Sequence, residues 1–310
     1  MQPAPSPGAG SAIRVGDRVR EAVAAGRPVL ALESTILTHG LPRPRNLAVG
    51  LEAEAMVREA GVEPATIGVV AGVPVVGLEP DDIRHLCTAE AVVKASTRDL
   101  PLARAQRLDA GTTVAATAWL AHRAGIRVFS TGGLGGVHRG AGETFDESAD
   151  LPTLAVTPIT LVSAGVKSIL DIAATLERIE TLGIPVVGYR TDRYPGFYVA
   201  DSGFPVPARV ESAGEIAAVT RARDELGLPA AVLVANPIAE AEQLDPAEHD
   251  RVLAEALQAA DDAGITGHDT TPFLLDYVQR ATGGRSLEVN LAVYFGNARL
   301  GAEIARELAG

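Results

Sequence analysis

The chain has 310 residues, 47% hydrophobic but only 4% aromatic, so Ala, Val, Leu and Gly must fill a large core. Its formal charge is -12 with no basic run, which argues against a duplex-binding surface or an anchor on anionic lipid, since both need clustered Lys and Arg. The single cysteine, Cys87, leaves no internal disulfide and no thiolate metal set, and reads as a small buried hydrophobe.

The first twelve residues, MQPAPSPGAGSA, lack the basic and apolar regions of a signal peptide and read as a flexible tail. The apolar stretches break well before the roughly 20 residues of a membrane span, so a soluble, cytoplasmic protein is expected. An amphipathic helix is expected from Ile13 to Ala25, ended by Gly26. Pro28 to Glu33 reads as a buried strand, and Asn46 as the cap of a helix running to about Ala60. Two strands, TIGVVAG and VPVVGL, turn at Gly72. A short helix from Asp81 to Cys87 and a strand from Ala91 to Ala95 follow, the strand carrying Lys94 near its end.

Gly111-Thr112-Thr113 opens an Ala-rich helix to about Arg123, and Ile126 to Ser130 is the next strand. It empties into the longest loop, Thr131 to Leu151. The run LVSAG then leads to Lys167 and a helix from Ser168, on which Ile169, Ile172, Leu176 and Ile179 recur at helical spacing. IPVVGY is a strand, followed by a loop rich in Tyr, Pro and Gly. A helix from Ser212, the strand AAVLVA, and helices from Asp245, Thr270 and Ser286 complete the chain. This alternation implies a three-layer α/β/α fold on a mixed, mostly parallel sheet. Residues 13–310 read as one domain, without an internal repeat or linker.

The basic residues are asymmetric. Of 27, only Lys94 and Lys167 are lysine, which leaves 25 arginines. Arginine cannot replace lysine where a neutral amine must attack carbon, because guanidinium stays protonated. Lys167 follows an apolar strand, where ligands of open α/β sheets bind, and the competing reading is a surface lysine in a first helical turn. Lys94, also near a strand end, suits a phosphate-holding ammonium. Glu33 ends its strand too; it reads equally as a proton donor raised in pKa by burial or as a structural carboxylate.

The long loop places five glycines in TGGLGGVHRG, which lets backbone N–H groups approach an anion, before Glu143, Asp146, Glu147 and Asp150. Those acids are either solvated surface or oxygen ligands of a hard divalent cation. His39, His138 and His268 fall in loops, and His138 beside Arg139 is a candidate anion contact. Thr112 and Thr113 either cap a helix or hold a phosphate with its N-terminus.

Together these segments resemble the pseudouridine-5'-phosphate glycosidase family, which includes the indigoidine-synthase-A-like proteins. The matching stretches are ALEST-I-THG-P, GTTVAAT, TGG-GGVHRGA-ETFD-SADL, SAGVKSILD, VLVANPI, TPFLL, SLE-N and NARL, spread over nearly the whole chain from about Arg14. The resemblance implies reversible cleavage of the C–C glycosidic bond of pseudouridine 5'-phosphate to uracil and ribose 5-phosphate. The family's nucleophilic lysine falls on Lys167, its proton-donating glutamate on Glu33 and its manganese-associated aspartate on Asp146. Its substrate contacts fall on Lys94, Val114, Ser148, Ala149, Asp150, Thr131, His138 and Asn290. A Mn2+ ion in each subunit and a homotrimer are implied as well.

The chemistry agrees with the residues. A C–C glycosidic bond has no heteroatom leaving group, so an amine that forms an iminium at ribose C1' must act as electron sink while an acid protonates the departing carbon. The chain departs from the family pattern at Glu147, at Ala95-Ser96-Thr97 and at His268, which leaves fine substrate contacts open. Another Schiff-base sugar-phosphate lyase or aldolase would keep Lys167 and the phosphate site without uracil recognition. A non-catalytic sugar-phosphate-binding protein would need neither Lys167 nor Glu33.

Overall fold

The computed structural model describes residues 12–265 and 270–310, and their eleven strands share one sheet. In chain order these are β1 (Arg14–Val15), β2 (Val29–Leu32), β3 (Glu63–Val70), β4 (Val73–Val76), β5 (Val92–Ala95) and β6 (Asp109–Thr112). Then come β7 (Val128–Ser130), β8 (Thr160–Ser163), β9 (Val186–Tyr189), β10 (Arg209–Val210) and β11 (Val232–Ala235). The main path runs β1-β4-β3-β2-β7-β8-β11-β9-β10. All neighbours on it are parallel except β3 and β4, which form a hairpin. Helices cover both faces, giving the expected α/β fold.

Alternation along the strands divides the core. Leu30 and Leu32, with Val128, Val162 and Val234, face one helical layer; Ala31, Phe129, Leu161 and Leu233 face the other. The 25-residue helix Arg285–Ala309 packs across β2, β7 and β8. Its Gly301 permits close approach: a Cβ there would lie 2.8 Å from a Leu30 methyl. Among the described residues no helix is long and apolar enough to cross a membrane.

The feature that builds the site is the length of β3. Its first half pairs with β2, from Val29–Glu63 to Leu32–Thr66. Its second half runs past the end of β2 and pairs antiparallel with β4 and with β6, so β6 occupies the place β2 vacates. β6 therefore meets β2 end to end, and β5, parallel to β6 on its far side, also runs opposite to β2 and ends level with β6. Ser34 seals this junction, its Oγ accepting the Thr112 N–H at 3.0 Å. Residues 61 positions apart in sequence, Glu33 and Lys94, are thereby delivered to one place.

Several expected elements change. Arg14 and Val15 form β1, so the first helix covers only Asp17–Ala24. Gly16 between them allows the turn, because a Cβ there would lie 2.6 Å from the Gly77 carbonyl oxygen. Asn46 does not cap the next helix, Arg45–Glu59, but sits buried inside it, donating to the carbonyls of Leu37 and Cys87. Gly111 and Thr112 belong to β6, and the Ala-rich helix begins at Val114 with Thr113 as its N-cap. The helix after Lys167 begins at Ile172, because Asp171 caps it by accepting the Ala174 N–H, so Ile169 packs from a loop. Cys87 is buried as expected, and desolvation pushes its thiol up to about 11. The expected tail lies, except for Ala12, outside the described residues, as does His268.

Candidate active site

The carboxyl ends of β2 and β7 are level and β8 ends one residue beyond them, and the chain continues from the three strands as Glu33, Thr131 and Ala164. Above them lies a cavity of about 440 Å³. Its floor carries Glu33, Lys94, Lys167 and Asn290, with Gly132 and Gly133 presenting bare backbone. Its walls are Ile36, His39 and Leu41 from the turn after β2, Phe197 and Tyr198 from the loop after β9, and Leu275, Gln279 and Leu287 from the last two helices. The chemistry is thus divided: charged groups below, apolar and aromatic groups around.

Glu33 is buried, and its Oε1 accepts a hydrogen bond from Thr131 Oγ1. Burial raises its pKa above the ordinary carboxylate value; the ammonium of Lys167 and the Thr131 bond pull it back, Asp150 pushes it up and Lys94 pulls it down. Lys94 is exposed and lines the cavity, yet the surrounding protein still partly desolvates its ammonium. This desolvation, with the like charge of Lys167, lowers its pKa, while Asp150 and Glu33 oppose the shift. Glu33 thus feels the charge of both lysines. Lys167 is half-buried on the loop between β8 and its helix, held by its backbone N–H to the Leu134 carbonyl at 3.1 Å. Among the described residues neither lysine side chain forms a hydrogen bond or ion pair, which leaves both amines free toward the cavity.

The glycine loop is fixed by Asp150. One carboxylate oxygen accepts the Ala115 N–H at the start of the Val114–Arg123 helix at 2.9 Å; the other accepts Gly135 N–H at 2.8 Å. Gly135 must be glycine for this, since a Cβ would meet that second oxygen at 2.7 Å. Ser148 accepts the Asp150 N–H, and Ala149 leads into the short Asp150–Leu154 helix. Thr113 caps its helix through Ala116 N–H and donates its own N–H to the Ala95 carbonyl, which puts that helix start beside Lys94. Val114 is buried in the first turn. Thr113, Val114, Ser148, Ala149 and Asp150 thus frame the cavity rather than line it.

His138 and Asp146 stand apart from the cavity wall. The His138 N–H bonds the Asp146 carbonyl at 3.0 Å, and His138 Nδ1 lies 3.8 Å from the Asp146 carboxylate, itself 40% exposed. Among the described residues no three His, Cys, Asp or Glu side chains converge as a metal cage. One accessible carboxylate suits only a hard cation that keeps most of its water, as magnesium-like ions do.

Sequence reasoning missed His39 as a cavity residue. It belongs to the single π-helical turn Ile36–Gly40, its Nδ1 lies 2.7 Å from Thr38 Oγ1, and burial with the nearby charge of Lys94 lowers its pKa. It also missed Phe197 and Tyr198, whose rings meet edge to face at 4.7 Å, and Asn297, buried beneath the glycine loop. The YPGFY stretch was the available signal for the first pair; a lone Asn inside a helix gives none.

Comparison with known proteins follows the same lines. A family model described as indigoidine synthase A like protein matches residues 18–307. The chain is 66% identical over 296 residues to the pseudouridine-5'-phosphate glycosidase of Saccharopolyspora erythraea, covering 96% of this chain and 98% of that one. A Frankia alni protein of the same name is 58% identical over 295 residues, covering 95% and 82%. Among solved structures, the prealnumycin C-glycosynthase AlnA in complex with ribulose 5-phosphate superposes with a TM-score of 0.90 at 38% identity, covering 97% and 98%. An indigoidine synthase A-like protein from Thermotoga maritima gives 0.88 at 36% identity, covering 98% and 99%.

Proposed function

The chain belongs to the indigoidine synthase A-like family, and on that premise we propose that it is a pseudouridine-5'-phosphate glycosidase. It reversibly cleaves the C–C bond between uracil and ribose 5-phosphate. The observation that carries this reading is the meeting of one free lysine amine and one carboxyl of raised pKa in a cavity that also holds a second ammonium.

In the proposed reaction the Lys167 amine bonds to ribose C1' as the ring oxygen leaves with a proton. The nitrogen lone pair then forms C1'=N while the bond to the uracil carbon breaks, and the proton of Glu33 ends on that carbon. Water adds to the iminium, releasing ribose 5-phosphate and restoring the amine. Lys94 holds the phosphate as a point charge, next to the helix start at Thr113 and Val114. Asn290 and the Gly132–Gly133 backbone offer hydrogen bonds to the sugar or base. Asp146 would hold a hydrated Mn2+ mainly through water, adding positive charge for the substrate's anionic oxygens.

A homotrimer working in the cytoplasm belongs to the same reading, supported by the family resemblance. The likeness to a C-glycosynthase favours a second reading of direction, in which the same site also joins a sugar phosphate to a carbon nucleophile. Incubating the protein with pseudouridine 5'-phosphate tests the proposal: uracil and ribose 5-phosphate should appear in equal amounts. No uracil from a folded, manganese-supplied protein would contradict it.

A further inference from the structure

We propose that Asn297, braced by Asn236, is a positioning residue that holds the Glu33 carboxyl in register for proton transfer, acting through the backbone of Thr131 and Gly132. This rests on the reading of Glu33 as proton donor. The Asn297 Nδ2 donates to the Thr131 carbonyl at 2.8 Å and to the Gly132 carbonyl at 3.2 Å. Its Oδ1 accepts from Asn236 Nδ2 at 2.8 Å, and Asn236 is itself tied by its N–H to the Ser163 carbonyl at the end of β8. Both ends of the Asn297 amide are committed, so it has one orientation. The residue it grips, Thr131, is the one whose hydroxyl holds Glu33. The other, Gly132, forms the cavity floor beside Asn290, one face and seven residues away on the same helix.

Packing alone does not call for this amide. The helix already seats on β2 and β7 through Gly301, Tyr294 and Ala298. An apolar side chain could fill the same space but would leave the buried Thr131 carbonyl and the Asn236 amide without partners, so the residue is held there by its hydrogen bonds and not by its volume. The amide instead fixes two consecutive carbonyls where β7 ends and the reacting groups begin.

The test measures uracil release and, separately, the borohydride-trapped imine with ribose 5-phosphate, which needs Lys167 but no proton donor to uracil. Asn297→Ala should lower kcat for uracil release by about 10- to 100-fold, the scale of a modest misplacement of a reacting group, with KM and imine trapping near native. Its kcat–pH profile should shift, and in a Glu33→Gln background the same change should add little, because the two act as one unit. Asn236→Ala should give a smaller loss in the same direction. The Asn pair borders a second cavity of about 400 Å³, from which water can replace lost partners, so folding should persist; if Asn297→Ala does not fold, Asn236→Ala carries the test. Equal losses in both readouts, a fully additive loss in the Glu33→Gln background, or native kcat in a folded variant would overturn the positioning role. Native uracil release by Glu33→Gln alone would instead show that the proton-donor reading has failed, and this proposal with it.

Discussion

Thr131 Oγ1 donates a hydrogen bond to Glu33 Oε1 across the junction of β2 and β7, joining residues 98 apart in sequence. The bond favours the ionised carboxyl, against burial, which favours the protonated one. Thr131→Val keeps the shape and removes the donor. The Glu33 pKa should then rise further, moving the high-pH limb of kcat upward, with a loss of roughly fivefold for one hydrogen bond of about 1 kcal/mol. A limb that moves to lower pH would contradict the assigned sign.

Lys167→Arg keeps a positive charge in the cavity but cannot supply a neutral amine. Turnover should fall below detection while Tm and binding of ribose 5-phosphate stay close to native. Residual cleavage near the native rate would remove Lys167 from the mechanism.

Lys94→Ala should raise KM for pseudouridine 5'-phosphate about 10- to 100-fold, the usual worth of a hydrogen bond to a charged group. It should leave KM for unphosphorylated pseudouridine, a poor substrate throughout, nearly unchanged. Equal effects on both substrates would place Lys94 elsewhere than at the phosphate.

Excess chelator should lower activity, and Mn2+ should restore it in the native protein but not in Asp146→Ala. Because one carboxylate and water hold the ion, affinity should be modest and dialysis sufficient to remove it. Full activity in a chelated, metal-free sample would contradict a role for the ion.

Glu33 also makes stability depend on pH. Its pKa is raised in the folded chain above 4.5, so it binds its proton more tightly folded than unfolded. The resulting stability is complete below the unfolded value and is lost as pH rises through the folded one. Glu33→Gln has no such proton. The Tm of the native protein should therefore fall relative to Glu33→Gln as pH climbs, with the difference constant below about pH 4.5. A pH-independent difference would argue against a burial-raised carboxyl.

Glu33 and Lys167 were legible because each follows a short apolar strand, and parallel pairing puts such positions at one edge of the sheet. Lys94 was legible as a strand-end residue, but its nearness to Glu33 was not: that depends on β3 outrunning β2 and on β6 filling the gap. β6 itself, Asp-Ala-Gly-Thr, has little strand propensity and exists because β3 and β5 pair with it from both sides. The Ile169 pattern suggested a longer helix than Asp171 allows, since a cap overrides periodicity at the first turn. Asn297 was illegible, because its meaning lies in carbonyls 165 and 166 residues away.

The central claim is that Lys167 becomes covalently bound to the sugar. Ribose 5-phosphate with borohydride should add one reduced sugar phosphate to the intact protein, and peptide mapping should place it on the segment containing Lys167. Lys167→Arg should show no adduct while Lys94→Ala still does at higher sugar concentration. An adduct mapped to Lys94, or none in protein that releases uracil, would contradict the account.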